Sequence, residues 1–192
     1  MANVANVIAG SALLFIAPKG TALPSLLTHP INWTAASFTT IGYTSTGVQF
    51  IYTPTFKDIT VDEEMSPVNQ ILSAEKAEIK VDLAEATIQN LQTVITGSTL
   101  TPAGGGRQIL TFGSPTQAQV TEWVVGFEGP SPEGSDTAVG ILYRVKNTAA
   151  VTIHYQRADK VVYSVTWTAL ADSTKPSGQR LGQIDYYTAI GS

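Results

Sequence analysis

The stretch AEIKVDLAEATIQNLQTVI, residues 77–95, changes its period without a break. Ile79, Val81 and Leu83 alternate with Glu78, Lys80 and Asp82, the two-residue period of a strand with one buried and one wet face. From Ala84 onward the apolar residues step by threes and fours, through Ile88, Leu91 and Ile95. That is the stripe of an amphipathic helix, expected over Glu85–Thr96. Asp82 stands three residues before Glu85 and is expected to cap the helix while ending the strand, so that no loop is needed. Gly97 follows the last periodic residue, where a C-terminal cap prefers glycine. It is the only convincing helix in the chain. A lone amphipathic helix needs a sheet on which to bury its stripe.

Strand patterns fill most of the remainder. Ala12–Ala17 is a continuous apolar run stopped by Pro18, the pattern of a buried strand or an N-terminal arm. Pro24 and Pro30 punctuate an irregular segment, and Ala36–Tyr43 is a Thr-rich strand candidate. Gly42 and Gly47 bracket an expected tight turn at Thr44-Ser45-Thr46. Val48–Thr53 and Phe56–Asp62 read as the arms of a hairpin that turns at Pro54, with 63–73 as a loop. The segment 98–117 is rich in Gly, Pro, Ser and Thr and is expected to be flexible, with a short strand at Gln108–Phe112. Val120–Phe127 and Val139–Val145 read as partners. Val151–Gln156 and Val161–Leu170 read as a hairpin turning at Arg157–Lys160, and Arg180–Tyr187 is a last strand. The fold expected is mainly β: an antiparallel β-sandwich or small barrel with one packed α-helix. No repeat or charge shift marks a second domain, so residues 1–192 read as one.

Composition narrows the function. Charged residues are 14% of 192, low for a globular protein, which leaves neutral surface of the kind partners often cover. The net charge of −4 lacks the basic stripe of a nucleic-acid binder. With no cysteine, disulfides, thiolate chemistry and Cys-based zinc sites are excluded. No stretch of about eighteen apolar residues is present to span a membrane, and no basic segment precedes the apolar run as in a signal peptide.

Catalytic patterns are missing too. His29 lies in a Thr-His-Pro loop and His154 on the polar side of a strand. Neither has a ligand-type neighbour at i+2 or i+4, so surface or interface roles suit them. Asp58, Asp62, Glu63, Glu64, Glu75, Glu78, Asp82 and Glu85 are eight of the fifteen acids. They lack the alternation of a calcium loop and any aromatic cluster to serve a glycosidase pair. The solvated face of two strands comes first for each, and a shared acidic wall second. Gly104-Gly105-Gly106-Arg107 has neither the P-loop nor the dinucleotide context, which leaves a flexible loop or an interface arm. Trp33, Trp123 and Trp167 are candidates for a ligand platform, although Trp167 alternates with core residues. The chain reads as a non-enzyme with no cofactor.

The order of elements then carries a resemblance. The turn Gly42…Gly47-Val48, the strand ending Asp62-Glu63-Glu64, the Pro67-Val68 loop and the strand–helix containing Asn90-Leu91 follow one another. This order resembles the major tail tube proteins of long-tailed, non-contractile bacteriophages, well over residues 11–97 and loosely beyond. The resemblance implies a sandwich or barrel subunit, similar in fold to the type VI secretion tube protein. It implies hexameric rings stacked into a tube whose lumen passes DNA, with the subunit made and assembled in the host bacterial cytoplasm and residing in the virion. Tape-measure, tail terminator and tail-tip proteins are implied partners, and no catalytic residue or cofactor carries over. No obvious counterpart is expected here of the immunoglobulin-like C-terminal domain appended to some members.

On that resemblance Phe56–Asp62 and Glu75–Asp82 become the lumen strands. Asp58, Asp62, Glu78, Lys80 and Asp82 become candidate lumen residues on a net negative wall that repels phosphate. Gly104, Gly105, Gly106 and Arg107 become candidate contacts between subunits or rings. The alternatives are a carbohydrate- or host-surface-binding β-sandwich, told apart by loss of binding on aromatic substitution, and another virion component such as a tail terminator or decoration protein.

Overall fold

A computed structural model describes residues 11–27, 29–113, 121–131, 137–153 and 161–187. Ten strands and one helix alternate as β1 (Leu13–Pro18), β2 (Thr39–Thr40), β3 (Thr44–Ile59), β4 (Asn69–Leu83), α1 (Ile88–Val94), β5 (Thr99–Ala103), β6 (Arg107–Thr111), β7 (Trp123–Pro130), β8 (Thr137–Asn147), β9 (Tyr163–Ala169) and β10 (Gly182–Tyr187). Every pairing is antiparallel. The main sheet runs β2-β1-β7-β8-β9-β4-β3 with β10 beside β8, and β5 and β6 form a separate hairpin. The mainly β architecture expected from the periods is therefore present, as an open sheet rather than a closed barrel.

β8 explains the layering. Its first half, Thr137–Leu142, pairs with both β7 and β10, and its last residues, Val145–Asn147, pair with β9. The strand so passes from one layer to the other. Between the layers lies one core: Leu14 and Ile16 of β1, Val125 of β7 and Leu142 of β8 against Ile79, Val81 and Leu83 of β4 and Val165 and Trp167 of β9. A second core lies on the far side of β1, β7 and β8, where Phe15, Val124, Val139 and Ile141 meet Ile31, Trp33 and Phe38. β1 is thus buried on both faces, which is why its sequence is a continuous apolar run. The ring of Trp33 stacks on Phe15, centroids 4.4 Å apart, and lies where a Cβ on Gly126 would be, at 2.4 Å. Only glycine admits that approach.

Several local expectations are corrected. The helix is shorter than Glu85–Thr96, and its N-cap is Thr87, whose hydroxyl accepts from Asn90 N. Asp82 does not cap it: the chain needs the connector 84–87 to turn off the strand. Gly97 adopts φ 76° two residues past the C-cap Ile95, in the turn that follows. Gly42 and Gly47 do have positive φ, but Thr44–Thr46 is no turn; it is the start of β3, with a register irregularity between Thr44 and Val48. Pro54 does not turn a hairpin either. β3 runs straight through it to Ile59 and pairs with β4, because β3 is the sheet's edge and an edge strand tolerates a missing N–H. The loop expected at 63–73 is correspondingly shorter, since β4 begins at Asn69. Of Ala36–Tyr43 only Thr39–Thr40 is strand. The Gly-rich segment is regular over 99–111, where Gly104–Gly106 close the β5–β6 hairpin. The hairpin expected after Val151 is seen as a bridge between Ile153 and Tyr163; His154 and the turn Arg157–Lys160 lie outside the described residues.

Candidate functional site

Two features of β3 and β4 stand apart from an ordinary domain. The first is a ribbon. β4 is flanked by β9 only from Glu78 to Leu83. Beyond that point β3 and β4 pair with each other alone, as far as Ile59 opposite Asn69. All residues from Gln49 to Lys76 are exposed. A two-stranded ribbon without a third strand or a packed face is marginal in water. This one also exposes apolar residues on both faces. Directly opposed residues share a face, so Phe50 and Tyr52 continue the core face of Ile79 and Ala77. Past a bulge at Ser73, whose hydroxyl donates to Thr55 O at 3.0 Å, Phe56 and Leu72 prolong that stripe. The opposite face carries Ile51, Ile59 and Ile71. Leu72 and Phe56 are 53% and 54% exposed, part of an apolar patch of the kind partners often cover.

The second feature is the outer face of β4, beside β9. Its residues Lys76, Glu78, Lys80 and Asp82 lie among the hydroxyls of Ser164, Thr166 and Thr168 across the ladder. Glu78 accepts from Lys76 Nζ at 2.8 Å and from Thr168 Oγ1 at 2.9 Å. The Lys76 ammonium holds its carboxyl below the usual carboxylate range against some desolvation, and the Thr168 hydroxyl assists. Asp82 accepts from Thr46 Oγ1 at 3.0 Å and from Ser164 Oγ at 2.5 Å. Two acids and two lysines balance, so this stretch carries no net charge.

The sequence-derived candidates are thus divided. Glu78, Lys80 and Asp82 share the polar face. Asp58 faces the other way, because β3 runs on through Pro54 and its alternation puts Asp58 on the face of Phe50, Tyr52 and Phe56; it accepts from Gln70 Nε2 at 2.7 Å. Asp62 lies in the loop that joins the two strands. Gly104, Gly105, Gly106 and Arg107 are exposed at the β5–β6 turn, remote in sequence from the ribbon and adjoining α1 through Gln108, whose Oε1 accepts from Gln89 at 3.3 Å. The ribbon's apolar residues were missed as a site. Their signal was present: a run of Phe, Ile and Tyr through a proline, with no polar alternation.

Other features resolve into packing. Trp33 and Trp167 are buried and Trp123 packs against the core, so the three tryptophans form no exposed platform. Trp33 Nε1 donates to Glu128 at 2.8 Å, and His29 Nε2 meets the same carboxylate at 3.0 Å, so His29 fastens the 23–38 segment to β7. Glu122 gathers Lys19, Arg144 and Lys146 within 3.1 Å. Among the described residues no three His, Asp or Glu side chains converge as a metal site, and no helix is long and apolar enough to cross a membrane.

Comparison with known proteins decides the family. The family model for phage tail tube proteins matches residues 1–181. The chain belongs to that family. It is therefore a structural protein of a bacteriophage tail, located in the virion. A search of curated proteins found no match. A tail tube subunit assembles with itself and with other tail proteins.

Proposed function

We propose that this tail tube protein self-assembles into rings, six subunits to a ring, that stack into a channel for genome delivery. The observation that carries the proposal is the free ribbon of β3 and β4. Its apolar residues on both faces and its unpaired β3 edge are satisfied by neighbours on either side. Repeating one such heterologous contact about an axis closes a ring, and repeating another along it builds a filament.

The polar face of β4 and β9 is proposed to line the channel, with Glu78, Lys80 and Asp82 on the wall; Asp58 and Asp62 lie elsewhere on the ribbon and its loop. A charge-balanced, hydroxyl-rich wall gives DNA phosphates no cationic surface on which to release counterions, so DNA slides without being held. Assembly takes place in the host cytoplasm, with the tape-measure, tail terminator and tail-tip proteins as partners.

Negative-stain electron microscopy of the concentrated, purified protein tests the reading. Rings or tubes with a central channel are expected. A protein that stays monomeric when concentrated, and also when offered preformed tube ends, sinks it.

A further inference from the structure

Glu122, just ahead of β7, holds more cations than it needs. Arg144 alone satisfies both of its carboxylate oxygens: Nε donates to Oε2 at 2.6 Å and Nη2 to Oε1 at 2.8 Å. Lys19 Nζ nevertheless lies 2.8 Å from Oε2, and Lys146 Nζ lies 3.1 Å from Oε1. One carboxylate offsets one cation, so both lysines are surplus. Asp172, whose charge reaches Arg144 and Lys19, does not restore the balance, because Lys175 acts on it as well. Its carboxylate is turned to its own loop, where it accepts from Thr174 N at 3.0 Å and Thr174 Oγ1 at 2.8 Å. Four cations thus stand against two acids, in a chain whose net charge is −4.

Strand register fixes where this excess lies. Lys146 is opposite Thr168, and Thr168 is opposite Glu78. Directly opposed residues share a face, so Lys146 extends the polar face of β4 and β9 onto β8. That face is neutral along β4 and β9, and its β8 border is cationic. The lysine side chains are 48% and 29% exposed, and each uses one of its three N–H donors on Glu122. Held by the carboxylate, they lose less freedom on meeting an anion than a loose lysine does. Thr148 and Thr168, whose hydroxyls meet at 2.7 Å, stand beside Lys146. Hydroxyls and ammoniums together are the donors that a nucleic-acid backbone takes.

We infer that the β8 border touches the phosphates of DNA, as a weak contact that ignores base sequence, at one margin of the channel wall. This rests on the channel reading and adds one point of grip to a face that elsewhere has none. Two surplus lysines release few counterions, so the contact is weak in one subunit and is multiplied where a ring repeats it.

The contact is read first on dilute, unassembled subunit at low salt, by fluorescence anisotropy of a labelled duplex. Binding is expected to weaken as salt rises. Lys19→Gln/Lys146→Gln is expected to lower the slope of log affinity against log salt by about 2. Glu122→Gln frees one more positive charge and is expected to tighten binding, whereas Lys57→Gln, on the ribbon, is expected to leave the slope unchanged. Assembled tubes then locate the contact, because a short linear duplex enters a channel and a closed circle does not. Wild-type tubes are expected to bind the linear duplex and not the circle. No binding by the subunit, a slope unmoved by the lysine variant, or polyglutamate bound in preference to the duplex overturns the contact and leaves the tubes standing. Tubes that bind the circle as tightly as the linear duplex put the lysines outside the channel and overturn it too. A protein that never forms tubes removes the channel reading, and this inference about its wall with it.

Discussion

Asn90 reaches from α1 with one amide to two carbonyls, Ile41 O at 2.9 Å and Glu85 O at 2.8 Å, and Asn147 does the same from β8 toward Val94 O at 2.7 Å. A helix of seven residues has little stability of its own, so these amides fix both its ends to the sheet. Asn90→Leu leaves two carbonyls short of a donor and is expected to cost about 1–3 kcal/mol in urea unfolding. Glu122 gives a pH-dependent case. Its carboxyl lies well below the usual range, chiefly through Arg144, then Lys19 and Lys146, against desolvation. A depressed folded pKa stabilises above the ordinary glutamate value and is lost as pH falls through it. The wild type is therefore expected to lose stability below about pH 4.3 more steeply than Glu122→Gln, as followed by thermal unfolding at stepped pH. Residue-scale reading of the sequence found Trp167 in the core by alternation. It passed over Asn90, which sits at a helix position where spacing suggests apolar contact, because a polar residue that bonds inward leaves no periodic trace. Gly126 left one, as a glycine inside a strand pattern.

At the scale of elements the alternation of Ala77–Leu83 was legible because β4 has one buried face there and one wet face. β1 was legible for the opposite reason, being buried on both. The ribbon was not, since Pro54 resembles a turn until the strand is known to be an edge. The helix boundaries also slipped, because Ala84 begins the stripe in sequence while the next residue is held off the helix, the Glu85 carboxylate being turned back to accept from Tyr43 N at 3.0 Å over the bare Cα of Gly42. Any side chain at Gly42 meets that carboxylate. The ribbon's apolar residues contribute nothing to either core. Phe56→Ser/Leu72→Ser is thus expected to leave monomer stability within about 0.5 kcal/mol of wild type. The same variant is expected to abolish rings and tubes in electron micrographs; normal tubes count against the ribbon as the assembling element.

For the whole molecule, the two-layer β architecture and the family were reachable from the order of elements, whereas the charge of the proposed wall was not. Sequence reading placed Asp58, Asp62, Glu78 and Asp82 together. β3 does not turn at Pro54, so its unbroken alternation carries Asp58 onto the face of Phe50 and Phe56, away from Glu78. With Lys76 and Lys80 beside Glu78 and Asp82, the face is neutral. Glu78→Gln/Asp82→Asn keeps an acceptor for Thr168 and for one of Thr46 and Ser164, the other hydroxyl accepting from the new amide NH2, and leaves the face with two uncompensated positive charges. Particles built from it are expected to eject DNA more slowly than wild type at low salt, with the deficit shrinking as salt is raised. Equal ejection rates at low salt place this face outside the channel.

The ribbon also sets the tempo of growth. Two strands that find their neighbours only in company gain little from a first encounter, because ordering them costs conformational entropy before a full set of contacts exists. Concentrated subunits are then expected to persist as a supersaturated solution with a long lag, and to elongate at once on a seed that presents a completed rim. Growth confined to such a rim hands control of where tubes begin to whatever component builds the first ring.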